Sequence, residues 1–165
     1  MTRGTTALAG IALIFSVALI SALRAEPLPQ SAQQDAVERA ERIMNGSCQG
    51  CHELRHLQIQ AKDAQGWTTT IQTMVDKGAT IAKDDIPVLV DYLVDRHGPI
   101  PDGPGKAIVL NICTMCHDLK RIKLGRRSEG EWEETLVTML NEGAPLSEDQ
   151  FPIVHAYLAR NFGVD

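Results

Sequence analysis

Aromatic residues are scarce: two Trp, two Tyr and three Phe in 165 residues. Basic residues are not in excess either. Lys and Arg number 16 against 21 Asp and Glu, a formal net charge of −5. That balance argues against nucleic acid, whose phosphates call for a cationic surface. No stretch shows the strict apolar–polar alternation of a half-buried strand, and the helical spacing elsewhere predicts an all-α chain. Charge is also absent from Ala7 to Leu23. With Arg3 before this run and Ala25 as the cleavage residue, residues 1–25 read as a secretory signal peptide. The length of the run is at the lower edge for a membrane span, so an uncleaved anchor is the alternative. No Cys lies near it, which excludes a lipoprotein anchor. Cleavage would remove Arg3 and Arg24, making the chain more acidic still.

Against this background two short motifs stand out. Cys48, Cys51 and His52 form one CxxCH; Cys113, Cys116 and His117 form a second. The pattern is the attachment signature of a c-type haem. Two thiols at this spacing can each add to one vinyl group of a porphyrin. The adjacent His is then carried beneath the iron as the proximal ligand. Two motifs therefore predict two haem c groups. Four cysteines leave two other chemistries open: a zinc site of four thiolates and two disulfides. Export fits the haem reading, because this attachment takes place outside the cytoplasm. The expected location is periplasmic, or the inner membrane facing the periplasm if the N-terminal segment stays uncleaved.

The shift that carries Cys48 onto Cys113 aligns much more than cysteines. Trp67 meets Trp132, Met74 meets Met139, and Gly78-Ala79 meets Gly143-Ala144. Pro87 meets Pro152, Tyr92-Leu93 meets Tyr157-Leu158, and Gly98 meets Gly163. No gap is needed from Cys48 onward. The expected organisation is a first domain over 26–98, a linker over 99–105 rich in Pro and Gly, and a second domain over 106–165. Units of this size sit near the lower limit for a core of side chains alone. A covalently held haem would supply the missing apolar mass.

The expected helices are 33–46 and Lys106–Ile112 before each motif, one from near Trp67 or Trp132, and a last one from Asp84 or Ser147. Asp63 and Ser128 (with Glu131) suit N-caps, and Ser147 with Gln150 reads as a further capping box. Gly78 and Gly143 suit left-handed C-caps. Pro87 and Pro152 fall in a first turn, where a missing N–H is harmless. The last helix should close at Gly98 and Gly163.

Trp67, Ile71 and Met74 recur as Trp132, Leu136 and Met139, each set on one helical face. Such a stripe can simply be core packing. The sharper reading makes Met74 and Met139 the distal iron ligands, since His/Met is a common pairing. His56, His97 and His155 compete for that role, but their counterparts are Arg121, Phe162 and Val90. Met44 and Met115 are also unpaired in the repeat. The cluster Lys120, Arg121, Lys123, Arg126 and Arg127 reads either as a solvated loop or as a set of propionate partners.

The CxxCH units, followed in order by Trp, Met, Gly-Ala and Tyr-Leu, resemble class I cytochrome c domains. They are most similar to haem domains of periplasmic dehydrogenases, such as the di-haem domain of the quinohemoprotein amine dehydrogenase alpha subunit and the cytochrome subunits of sulfite dehydrogenases. The resemblance implies two tandem class I domains, covalent attachment at Cys48, Cys51, Cys113 and Cys116, and iron ligation by His52, His117, Met74 and Met139. Many small cytochromes c instead place the distal Met in a loop; here 78–85 and 143–149 contain none. The implied activity is electron transfer between a dehydrogenase or respiratory complex and a terminal acceptor, by a carrier with no catalysis of its own. Redox partners with a basic docking face would suit the acidic chain. The competing readings are a di-haem peroxidase and a membrane-anchored haem subunit of an oxidoreductase complex.

Overall fold

The computed structural model describes Met1 and residues 29–164. The Ala7–Leu23 run and its Ala25 cleavage point lie outside the described residues. Among the described residues there is no strand, only an isolated parallel bridge between Arg127 and Gly163, and no helix long and apolar enough to cross a membrane. The all-α expectation holds.

Among the described residues eight α-helices follow in order. They are α1 Gln30–Ile43, α2 Arg55–Gln58, α3 Ala64–Asp76 and α4 Ile86–His97, then α5 Lys106–Ile112, α6 Lys120–Leu124, α7 Glu129–Asn141 and α8 Gln150–Phe162. Helix α1 starts earlier than the periodicity suggests. It does not run on to 46: a π-turn over Met44–Cys48 loosens its end and delivers Cys48. Helices α2 and α6 were not expected. Each is a single short segment just after a CxxCH motif.

Helices α3 and α7, and likewise α4 and α8, end at equivalent positions of the repeat because their local signals recur. Asp63 Oδ1 accepts from the Gly66 amide at 2.8 Å. In the second copy Ser128 and Glu131 form a complete capping box, so both caps satisfy amide protons that would otherwise lack partners. At the other end Gly78 and Gly143 have φ of 101° and 96°. The Ala79 amide donates to the Met74 carbonyl and the Ala144 amide to the Met139 carbonyl, both at 2.9 Å. Gly78 and Gly143 bond back to Val75 and Leu140 at 2.9 and 3.0 Å. These bond pairs form a Schellman cap, so each Met is held close to a fixed helix end. Only half of the expected box at Ser147 forms: its amide donates to Gln150 Oε1 at 3.2 Å, and α8 takes Asp149 as N-cap.

Burial divides into two clusters. One joins Ala40, Met44, Trp67, Ile71, Leu89 and Leu93. The other joins Val109, Leu119, Trp132, Leu136, Val154, Tyr157 and Leu158. Ile100 belongs to the second, and Tyr157 donates its hydroxyl to the Pro101 carbonyl at 2.6 Å. The connecting segment is thus packed on the second bundle rather than swinging as a free hinge. The bundles also touch directly. Arg55 reaches Thr114, Arg96 pairs with Asp118 at 2.8 Å, and Lys120 pairs with Asp95 at 2.6 Å.

Candidate functional site

Each bundle holds a partly open apolar cavity, of about 330 Å³ in the first and about 340 Å³ in the second. Both fall within the range of small-molecule sites. Of the seventeen residues around the first cavity, fourteen have their repeat counterpart among the sixteen around the second. The same pocket has been built twice.

The first pocket gathers Cys48, Cys51, His52, Trp67, Ile71 and Met74. The second gathers Cys113, Cys116, His117, Trp132, Leu136 and Met139. Every residue singled out for attachment or ligation therefore lines a cavity. Helix α3 or α7 supplies the Trp, Ile/Leu and Met face, and the turn after α1 or α5 supplies the thiols and imidazole.

The imidazoles are held alike. His52 Nδ1 lies 3.0 Å from the Glu53 carbonyl, and His117 Nδ1 lies 2.9 Å from the Asp118 carbonyl. A carbonyl oxygen can only accept, so Nδ1 must carry the proton in each bond. That leaves Nε2 as the free lone pair, the form a metal ligand needs.

The tryptophans are fixed in parallel too. Trp67 Nε1 donates to the His97 carbonyl at 3.1 Å, and Trp132 Nε1 donates to the Phe162 carbonyl at 3.3 Å. A cation covers each ring: Lys62 Nζ lies 5.4 Å from the Trp67 centroid, and the Arg127 guanidinium 4.9 Å from that of Trp132. The neighbouring turns close the same way, Lys62 donating its amide to the His97 carbonyl and Arg127 to that of Phe162.

The four cysteines are free thiols among the described residues. They divide between two pockets, so the four-thiolate zinc geometry is not assembled. No group of three or more His, Cys, Asp or Glu among the described residues is placed to hold a metal ion. Burial raises the pKa of Cys48 and pushes Cys113 up to about 11. The residues fit a covalently held porphyrin: paired thiols at the rim, one imidazole with a free nitrogen, and an apolar wall bearing a thioether.

The competing histidines scatter. His56 lines the first pocket, its ring centroid 6.4 Å from that of His52. His97 lies edge-on to Trp67 at 6.4 Å and lines a different cavity, beside Met44 and Tyr92. His155 is on α8, with Nε2 2.9 Å from the Glu129 carbonyl. Met44 is buried in the first core, and Met115 is exposed.

The basic cluster after His117 divides. Arg121 and Arg127 line the second pocket, while Lys120 and Lys123 bind the end of α4 through Asp95 and the Val94 carbonyl. Sequence reasoning missed the lining pairs Ile81/Leu146 and Lys77/Glu142. The register of the repeat was the signal that could have found them.

No family model matches this chain, and no curated protein or solved structure does either.

Proposed function

We propose that the chain is a di-haem c-type cytochrome, built of two tandem class I cytochrome c units and exported to the periplasm. In this reading it relays single electrons between a dehydrogenase or respiratory complex and a terminal acceptor. One observation carries the reading: a CxxCH motif, a Trp and a helical Met converge on the same apolar pocket in both copies.

The bound haem would supply the one-electron couple. The chain's own residues do the rest. Cys48 with Cys51, and Cys113 with Cys116, tie each group to its pocket. His52 and His117 offer Nε2 because Nδ1–H is committed to a carbonyl. Met74 and Met139 offer a thioether from a capped helix end. Trp67 with Ile71, and Trp132 with Leu136, exclude water. Met on both units disfavours an open distal site, and so disfavours the peroxidase alternative. With its net negative charge the carrier should meet partners that present a basic docking face, and such association weakens as salt screens it.

The test is haem stoichiometry and spin state on the full chain, produced in a host that attaches c-type haem. Two covalent haems per chain are expected, both low-spin, with a weak near-infrared Met–iron band. Met74→Ala and Met139→Ala should each remove part of that band. Absence of covalent haem would sink the proposal. High-spin iron that rapidly binds cyanide or peroxide would replace it with an enzyme.

A further inference from the structure

The two attachment loops are held by different neighbours. In the first, Cys51, His52 and Glu53 are exposed, and Ser47 Oγ donates to the Thr80 carbonyl at 2.6 Å within the same bundle. The second loop is gripped from outside its own bundle. Arg55 on α2 donates to Thr114 Oγ1 at 3.1 Å and to the Asn111 carbonyl. Thr114 lies between the two cysteines of the motif and is buried. Arg96, on α4, holds the Asp118 carboxylate at 2.8 Å, and its own carbonyl accepts from the Leu119 amide at 2.9 Å.

These contacts use positions at which the copies differ. Arg96 corresponds to Asn161, Asp118 to Glu53, Thr114 to Gln49 and Arg55 to Lys120. The second copy lacks the residues to return the same brace to the first.

Asp118 connects the brace to the proximal ligand. Its carbonyl accepts from His117 Nδ1 at 2.9 Å. Its carboxylate is held by Arg96 on one side and by the Lys120 amide at 3.0 Å on the other. The residue that orients the His117 ring is thus fixed by a salt bridge from the other bundle. Partners behind a metal ligand set its orientation and basicity.

We propose that the first bundle tunes the second haem, with Arg96 and Arg55 as positioning residues. Arg96 neutralises the Asp118 carboxylate beside the proximal ligand, and Arg55 adds a further cation to the attachment loop. Both favour the reduced, less positive iron, so the second haem has the higher potential. Electrons entering at the first haem would then run downhill to the second. The inference rests on the di-haem reading.

A redox titration of the full-length holoprotein tests it. Arg96→Gln should lower one of the two midpoint potentials, the higher one, and leave the other in place. Adding Asp118→Asn to that variant should restore the lowered midpoint, which a purely structural loss would not do. Arg55→Gln, which leaves the Arg96 pair intact, should lower the same midpoint by less and keeps the proposal testable if Arg96→Gln fails to fold. Two covalent haems whose midpoints both stay put, or fall together, in these variants would overturn the tuning role alone. A chain carrying no covalent haem overturns the di-haem reading and the tuning role with it.

Discussion

The two bundles share a pocket but not its surroundings. Around the first pocket, His97 closes α4, buried, with Nδ1 lacking a hydrogen-bond partner among the described residues. The equivalent position in the second bundle is Phe162, packed edge-on against Tyr157 at 6.2 Å. At the pocket rims His56 and Lys77 stand where Arg121 and Glu142 stand. The first CxxCH loop is open to solvent, whereas the second is clamped by Arg55 and Arg96. What stays constant is the machinery that faces the cavity. What varies is the shell that sets charge, burial and neighbours, and that shell is where two chemically identical groups would acquire different potentials.

The largest expected effect comes from the thiols. Cys48→Ala with Cys51→Ala, or Cys113→Ala with Cys116→Ala, should each remove half of the covalently bound haem, measured by pyridine haemochrome and intact mass. Loss of all haem from either double variant would mean that the units do not load independently.

Next come the tryptophans. Trp67→Ala and Trp132→Ala should each destabilise the protein by about 3–5 kcal/mol, read by urea unfolding. The two values should be close, because the two rings make matching contacts. A large difference would break the equivalence of the cores.

His97→Phe makes the first bundle more like the second. Burial holds the His97 pKa below its ordinary value of 6.5. Well above that ordinary value the ring is neutral in both folded and unfolded chains. As the pH falls through it, towards the lowered folded value, the unfolded chain takes up the proton first and stability is lost. His97→Phe should therefore flatten the stability loss between pH 7 and pH 5. Relieving the unpartnered nitrogen should add about 1 kcal/mol at pH 8. An unchanged pH profile would show that His97 is not the titrating group.

The smallest effect concerns the helix ends. Gly78→Ala and Gly143→Ala place a Cβ at positive φ and should each destabilise by about 1 kcal/mol. Nothing lies within 4 Å of either added Cβ, so backbone strain alone sets the size, and it should match between copies. In the holoprotein the near-infrared band reports whether the Met on the capped end has moved.

The sequence made the pockets legible because their parts are local or repeat at a fixed interval. The CxxCH spacing, the caps at Asp63 and Ser128, and the Schellman turns at Gly78 and Gly143 each depend on residues within a few positions. Trp67 and Met74 could be placed on one helical face from spacing alone. The short helices α2 and α6 escaped notice because segments of about one turn carry too little periodicity to register. The Pro and Gly content of 99–105 marked a linker but not where it packs. Its packing depends on Ile100 and on the bond from the Tyr157 hydroxyl to the Pro101 carbonyl, two groups far apart in the chain.

By itself, then, the amino-acid sequence determined the helical class, the repeat, and the Cys, His, Trp and Met residues that line each cavity. Only the tertiary structure decided that His97 is sequestered behind Trp67 while His56 is on the pocket wall. Only it decided that Lys120 and Lys123 of the basic cluster bind the first bundle and that Arg96 stands behind the turn that carries His117. The physical reason is that these are contacts between non-equivalent positions. They join residues far apart in the chain that follow neither the helical period nor the register of the repeat. Their partners are chosen by how the two bundles pack, which no one-dimensional pattern encodes.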